Sequence, residues 1–154
     1  MIDILTLVAA IGAGLVAGIF FAFSSFVMKA LARIPTAHGI SAMQSINVVV
    51  INPVFMAAFL GTGAVCAALA VSALLRWSEP GAALRLAGSL LYLVGTLFVT
   101  MAFNIPRNNA LARVDAATDA GARVWAGYVS GWTAWNHVRT AAAAAAAAVF
   151  TLAR

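Results

Sequence analysis

The chain has 154 residues, 64% of them apolar and 8% charged, with a mean hydropathy of +1.02 and a formal charge of +5. Soluble domains carry roughly 45–50% apolar residues, so the composition excludes an ordinary water-soluble domain and predicts an all-α integral membrane protein. The basic residues flank apolar stretches instead of forming a solvated stripe, so no nucleic-acid partner is expected.

Four stretches approach the roughly 20 residues that cross hydrocarbon as a helix, at about residues 4–28, 53–75, 83–103 and 131–152. They predict one four-helix transmembrane bundle over residues 1–154, with short helices in the two longer connections. The first stretch starts Met1-Ile2-Asp3, lacks a preceding basic run and is too long for a secretory signal, so it reads as a permanent helix. It carries Gly14-x-x-x-Gly18 beside Ala10, Ala13 and Ala17, a spacing that lets another backbone approach closely in lipid. Packing within the chain is the simpler use of that spacing, and a homo-oligomer contact is the other.

The connection that follows holds Lys29, Arg33 and His38, then Gln44 and Asn47, and ends in Asn52-Pro53, an N-cap followed by proline at the first helical position. The lone Cys66 lies within the second span, which leaves neither an internal disulfide nor a thiolate metal cluster. The turn Arg76-Trp77-Ser78-Glu79-Pro80-Gly81 makes the second and third spans antiparallel neighbours. Lys29, Arg33, Arg76, Arg85 and Arg154 read as interfacial anchors with snorkelling side chains. Charge counting sets Lys29, Arg33, Arg107, Arg113 and Arg123 against Arg76, Arg85 and Arg154, which favours long connections in the cytoplasm and both termini outside an inner membrane.

Polar chemistry gathers at one boundary of the apolar segments. After the third span comes Asn104-Ile105-Pro106-Arg107-Asn108-Asn109, where Pro106 interrupts helical hydrogen bonding and is expected to open the backbone. Further on, Trp125, Tyr128, Trp132, Trp135, Asn136 and Arg139 fall within about a third of a helical circumference, with His137 nearly opposite. A membrane-interface belt explains the aromatics alone. It leaves Asn136 and Arg139 inside an apolar segment, where they need partners or an anionic or carbonyl-bearing ligand. The fourth span ends in eight alanines, Ala141 to Ala148, a smooth and strongly helical rod. Two histidines without a neighbouring carboxylate make a poor metal set, and no HExxH or ExxH pattern is present.

The block Asn104-x-Pro106-x-Asn108-x-x-Leu111, paired with Trp132-x-x-Trp135-Asn136-x-x-Arg139-Thr140, resembles the DUF1772 family, which includes anthrone oxygenase-like membrane proteins. The resemblance implies a bundle of membrane helices and oxidation of an anthrone to an anthraquinone by dioxygen, with no organic cofactor. An anthrone methylene is acidic because its conjugate base is phenolate-like, so the protein has to remove one proton, stabilise the oxyanion and admit dioxygen. On that reading His137 is the general base, Asn136 and Arg139 complete the catalytic set with Asn108 beside them, and Trp132 and Trp135 stack on a flat substrate. Asn47, Asn104, Trp125 and Tyr128 complete the expected substrate-binding set.

Two further classes stay open on the residues alone. One is a non-enzymatic membrane protein that binds a lipid or quinone, or serves as an accessory subunit, its arginines recognising a headgroup. The other is a haem protein ligated by His137 or His38.

Overall fold

The computed structural model describes residues 2–153, and all regular structure among them is helical. Five continuous helices follow in order: α1 (Ile2–Leu31), α2 (Thr36–Val49), α3 (Pro53–Leu75), α4 (Ala82–Ala112) and α5 (Asp119–Leu152). Three of them, α1, α3 and α4, are long and apolar enough to cross a membrane. The sequence reading counted a fourth span at residues 131–152; α5 fills that place in the bundle but falls short in apolarity. Its run contains Asn136, His137 and Arg139, and its alanines bring little hydrophobic area.

The four long helices close into a ring in which α1 packs on α5 and α3, and α4 packs on α3 and α5. Their shared core joins Ala9, Ala13, Val16 and Phe20 of α1 to Phe59, Cys66 and Leu69 of α3, Tyr92 of α4, and Ala146 and Phe150 of α5. Tyr92 donates its hydroxyl hydrogen to the Phe59 carbonyl at 2.9 Å, so the largest polar group in this core is satisfied. At 1.5 Å per residue the 34 residues of α5 run about 51 Å, well beyond the roughly 30 Å of hydrocarbon. The surplus length of α4 and α5 meets α2 and the end of α1 in a second cluster of Met28, Ile40, Met43, Leu111, Trp125 and Trp132. Gln44 ties this layer down by donating to the carbonyls of Leu111 and Val114 at 2.9 and 3.0 Å, at and just past the end of α4.

Several expectations change. Pro106 does not open the chain: Ile105 is helical (φ −59°, ψ −46°) and α4 runs on to Ala112. The preceding turn, Thr100–Asn104, is π-helical, and Ile105 N–H reaches back to Thr100 O, so the wider turn absorbs the donor that proline lacks. The connection between α4 and α5 thereby shrinks to residues 113–118, against the long loop expected there. Arg85 does not snorkel; it is buried, donates to the Pro80 carbonyl at 3.1 Å and lies 3.6 Å from Glu79, holding the α3–α4 turn from inside. Arg154 and Met1, both used in the sequence reading, lie outside the described residues. Asn52 caps α3 as expected, accepting from Phe55 N–H at 3.0 Å.

The Gly14-x-x-x-Gly18 pair is exposed, with open space where a Cβ would project. Close packing of α1 on α3 falls instead to Gly12, whose missing Cβ leaves room for the Thr62 side chain. Gly12→Ala is therefore expected to destabilise the protein by about 1–3 kcal/mol through overpacking. Gly14→Ala should be neutral or slightly stabilising, and thermal unfolding of the two variants in one detergent checks the contrast.

Candidate functional site

Helix α5 builds the site on a single face. Trp125, Tyr128, Trp132, Asn136 and Arg139 are all buried, as the helical spacing requires, and the same face continues inward as Ala142, Ala143, Ala146 and Phe150. Trp125, Tyr128 and Trp132 stack in sequence with ring centroids 5.6 and 5.9 Å apart. Trp135 stands at the flank, half-buried and stacked on Phe103.

Asn136 is fully buried and carries the contact between α5 and α1. Its amide nitrogen donates to Phe20 O and to Ser24 Oγ, both at 2.7 Å. Thr140 donates to the Asn136 carbonyl at 2.8 Å, so the 3.0 Å contact between Ser24 Oγ and Thr140 Oγ1 takes its proton from Ser24. The amide oxygen of Asn136 is left to accept from Arg139 Nη2 at 2.6 Å. Each donor and acceptor of Asn136's side chain thus has a defined role, and its orientation fixes that of Arg139.

Arg139 is 4% exposed and has no carboxylate partner among the described residues. Nη1 donates to Thr100 Oγ1 at 3.1 Å, and the guanidinium carbon lies 4.0 Å from the Phe20 ring centroid and 5.1 Å from that of Trp132. Nε is buried without a partner among the described residues. A cation held by neutral groups, with a donor unused, keeps much of its charge available for something else.

That charge lines a cavity of about 210 Å³, smaller than the roughly 300–1,000 Å³ of most small-molecule pockets. Phe20, Phe23, Ile46, Phe55, Phe59 and Trp132 supply its apolar wall. Its polar groups are Asn47, Thr100, Asn108 and Arg139. Asn108 Oδ1 accepts from both Tyr128 Oη (2.9 Å) and Trp132 Nε1 (2.8 Å), which turns its amide N–H groups away from the aromatics. Asn47 Nδ2 approaches the Tyr128 hydroxyl at 3.5 Å. Ile19, Ile51 and Ile105 on the wall are themselves partly exposed, so the cavity reaches an apolar part of the surface.

Of the residues expected to act, the cavity gathers Asn47, Asn108, Trp132 and Arg139, with Asn136 and Tyr128 directly behind them. Asn104 is buried nearby and donates to the Trp132 carbonyl at 3.2 Å, so it serves the α4–α5 contact. Trp125 belongs to the second cluster and packs where Gly39 has no Cβ. His137 is exposed and lines a separate groove between α1 and α5, out of reach of a ligand beside Arg139. His38 is exposed on the first turn of α2. Sequence reasoning missed Phe20, Ser24 and Thr100; hydroxyl residues inside apolar runs were the available signal for the last two.

A family model described as anthrone oxygenase matches residues 54–149, more than half of the chain. The chain belongs to the anthrone oxygenase family. The matched region holds Thr100, Asn108, Trp132, Asn136 and Arg139, so the family's segment includes most polar groups of the cavity and leaves α1 outside it. No curated protein and no solved structure matches the chain.

The Asn136 network makes a sharp prediction for this family member. Asn136→Ala strips partners from Phe20 O, Ser24 and Arg139 together and should cost about 2–4 kcal/mol. Ser24→Ala, which removes one acceptor, should cost about 1 kcal/mol, and chemical unfolding in detergent measures both.

Proposed function

We propose that the protein is a membrane-embedded oxygenase that oxidises a flat, apolar, anthrone-like substrate with dioxygen, drawing its chemistry from the substrate's own electrons. The single observation that carries this reading is the buried guanidinium of Arg139, without a carboxylate and facing an aromatic-walled cavity. An enolate or phenolate oxygen set against it gains a charge-assisted hydrogen bond in a weakly screening environment. Membership of the anthrone oxygenase family supports an anthrone-like substrate.

Proton removal follows from that charge. The described groups on the cavity wall include no carboxylate and no imidazole, so Arg139 acts by stabilising the conjugate base, and the proton leaves to interfacial water where the wall reaches Val50 and Ile51, just before the α3 span begins. Asn108 adds amide donors, while Phe20 and Trp132 receive the ring faces. The carbanion then gives its electrons to dioxygen and forms a carbon–oxygen bond, and the resulting peroxide anion takes the proton back from water to become a hydroperoxide. Loss of water from that hydroperoxide breaks the oxygen–oxygen bond and leaves the new carbonyl. One oxygen atom of dioxygen ends in the product, the other in water, and no external reductant is needed. Exposed apolar residues at the rim suit a substrate that arrives from the bilayer.

Oxygen uptake by the detergent-purified protein given an anthrone tests the reading, against the spontaneous rate. Arg139→Met should lower kcat/KM by about 10²–10³, the usual loss for one oxyanion donor, with the helical circular dichroism unchanged. His137→Ala should retain the wild-type rate. Wild-type uptake no faster than the spontaneous reaction, together with quenching of tryptophan fluorescence by the anthrone, would transfer the weight to a binding protein for quinone-like molecules.

A further inference from the structure

A second concavity of about 310 Å³ lies on the nearly opposite face of α5, against the last turns of α1. Its floor is built from Met28 and Ala32, and Lys29, Ser130, Thr133 and His137 place polar atoms along it. On α5, Ser130, Thr133 and His137 recur at three- and four-residue steps, so one helical face presents them together. Thr133 Oγ1 is buried without a hydrogen-bond partner, and Lys29 has no carboxylate within ion-pair distance among the described residues. The groove thus offers a cation, an imidazole and an unused hydroxyl, and no carboxylate lines it. That set matches a phosphate anion.

The surface beyond it identifies the source of the phosphate. Lys29 sits at the end of an apolar span, at headgroup level. From His137 the same face of α5 continues toward the apolar end through Ala141, Ala144 and Ala148, all exposed. An alanine track is smooth and lets an extended chain lie close to the helix. We infer that this groove is a binding site for an anionic phospholipid, with the phosphate held by Lys29, His137 and Thr133 and one acyl chain laid along the alanines. The site is separate from the Arg139 cavity and does not depend on the reading of that cavity. It also gives the alanine run a use, since Ala142, Ala143 and Ala146 pack inward while their neighbours form the track.

Native mass spectrometry of the full chain in detergent, titrated with phosphatidylglycerol, provides the measurement. Lys29→Gln and His137→Gln, both exposed substitutions compatible with folding, should each weaken binding about tenfold. Arg113→Gln removes an equal charge from an exposed site outside the groove and should leave binding unchanged. Ala144→Leu, which raises a side chain into the track, should weaken phosphatidylglycerol but not inorganic phosphate, while inorganic phosphate alone binds far more weakly than the lipid. Equal losses in Arg113→Gln and Lys29→Gln would reduce the effect to general charge and overturn the site. Inorganic phosphate binding as tightly as the lipid, with Ala144→Leu without effect, would overturn the lipid assignment.

Discussion

The hydrogen bonds of Asn136 are the constraint on which the remaining architecture depends. A buried amide on α5 meets the Phe20 carbonyl and Ser24 hydroxyl on α1, and its oxygen receives Arg139. Within an apolar bundle those groups have no water to fall back on, so the contact fixes both the register and the rotation of α5 against α1. The same interaction holds a guanidinium without neutralising it. An aspartate in that place would supply a counter-charge and cancel the field that the cavity offers. An amide orients the cation and leaves its charge in place.

Helix geometry is adjusted around this contact. π-helical turns occur at Phe23–Val27 in α1 and at Leu93–Phe98 and Thr100–Asn104 in α4, two of the five helices that line the cavity. Each widened turn shifts the side chains that follow it around the helix, and Asn136 binds the Phe20 carbonyl just before the one in α1. In α4 the π turn also accommodates Pro106. The helix therefore carries Asn104 and Asn108 on one continuous rod, with Asn108 delivered to Tyr128 and Trp132 instead of being spent on a cap.

Packing and chemistry are divided along α5. Its alanines let α1 and α4 approach closely, as at Gly95, whose missing Cβ makes room for Ala142. Its N-terminal half carries the aromatic stack, against which α2 and the end of α1 pack. The cavity shares Phe20 and Phe59 with one cluster and Met43 and Trp132 with the other. The two faces of α5 then serve different neighbours: one the aromatic-walled cavity, the other the groove with Lys29.

The sequence by itself determined the helical class, the apolar segments and the single buried face from Trp125 to Arg139, because hydrophobic excess and a 3.6-residue period are local properties of the chain. The paired asparagine and tryptophan blocks were enough to suggest the family. Tertiary structure alone decided which groups meet: Phe20 and Ser24 reach Asn136, and Thr100 reaches Arg139, from other helices, and no spacing along the chain encodes those approaches. It also decided that Gly12 and not Gly14 makes the close contact, since both glycines suit a lipid-facing helix and only the position of Thr62 separates them. Pro106 carries the same lesson: the chain stays helical through it, and the turn before it, Thr100–Asn104, is π-helical. His137 was the general base that the family resemblance implied, although the helical period already set it nearly opposite Arg139. On a helix, one residue is about 100° of rotation, and that angle puts its imidazole in a different groove.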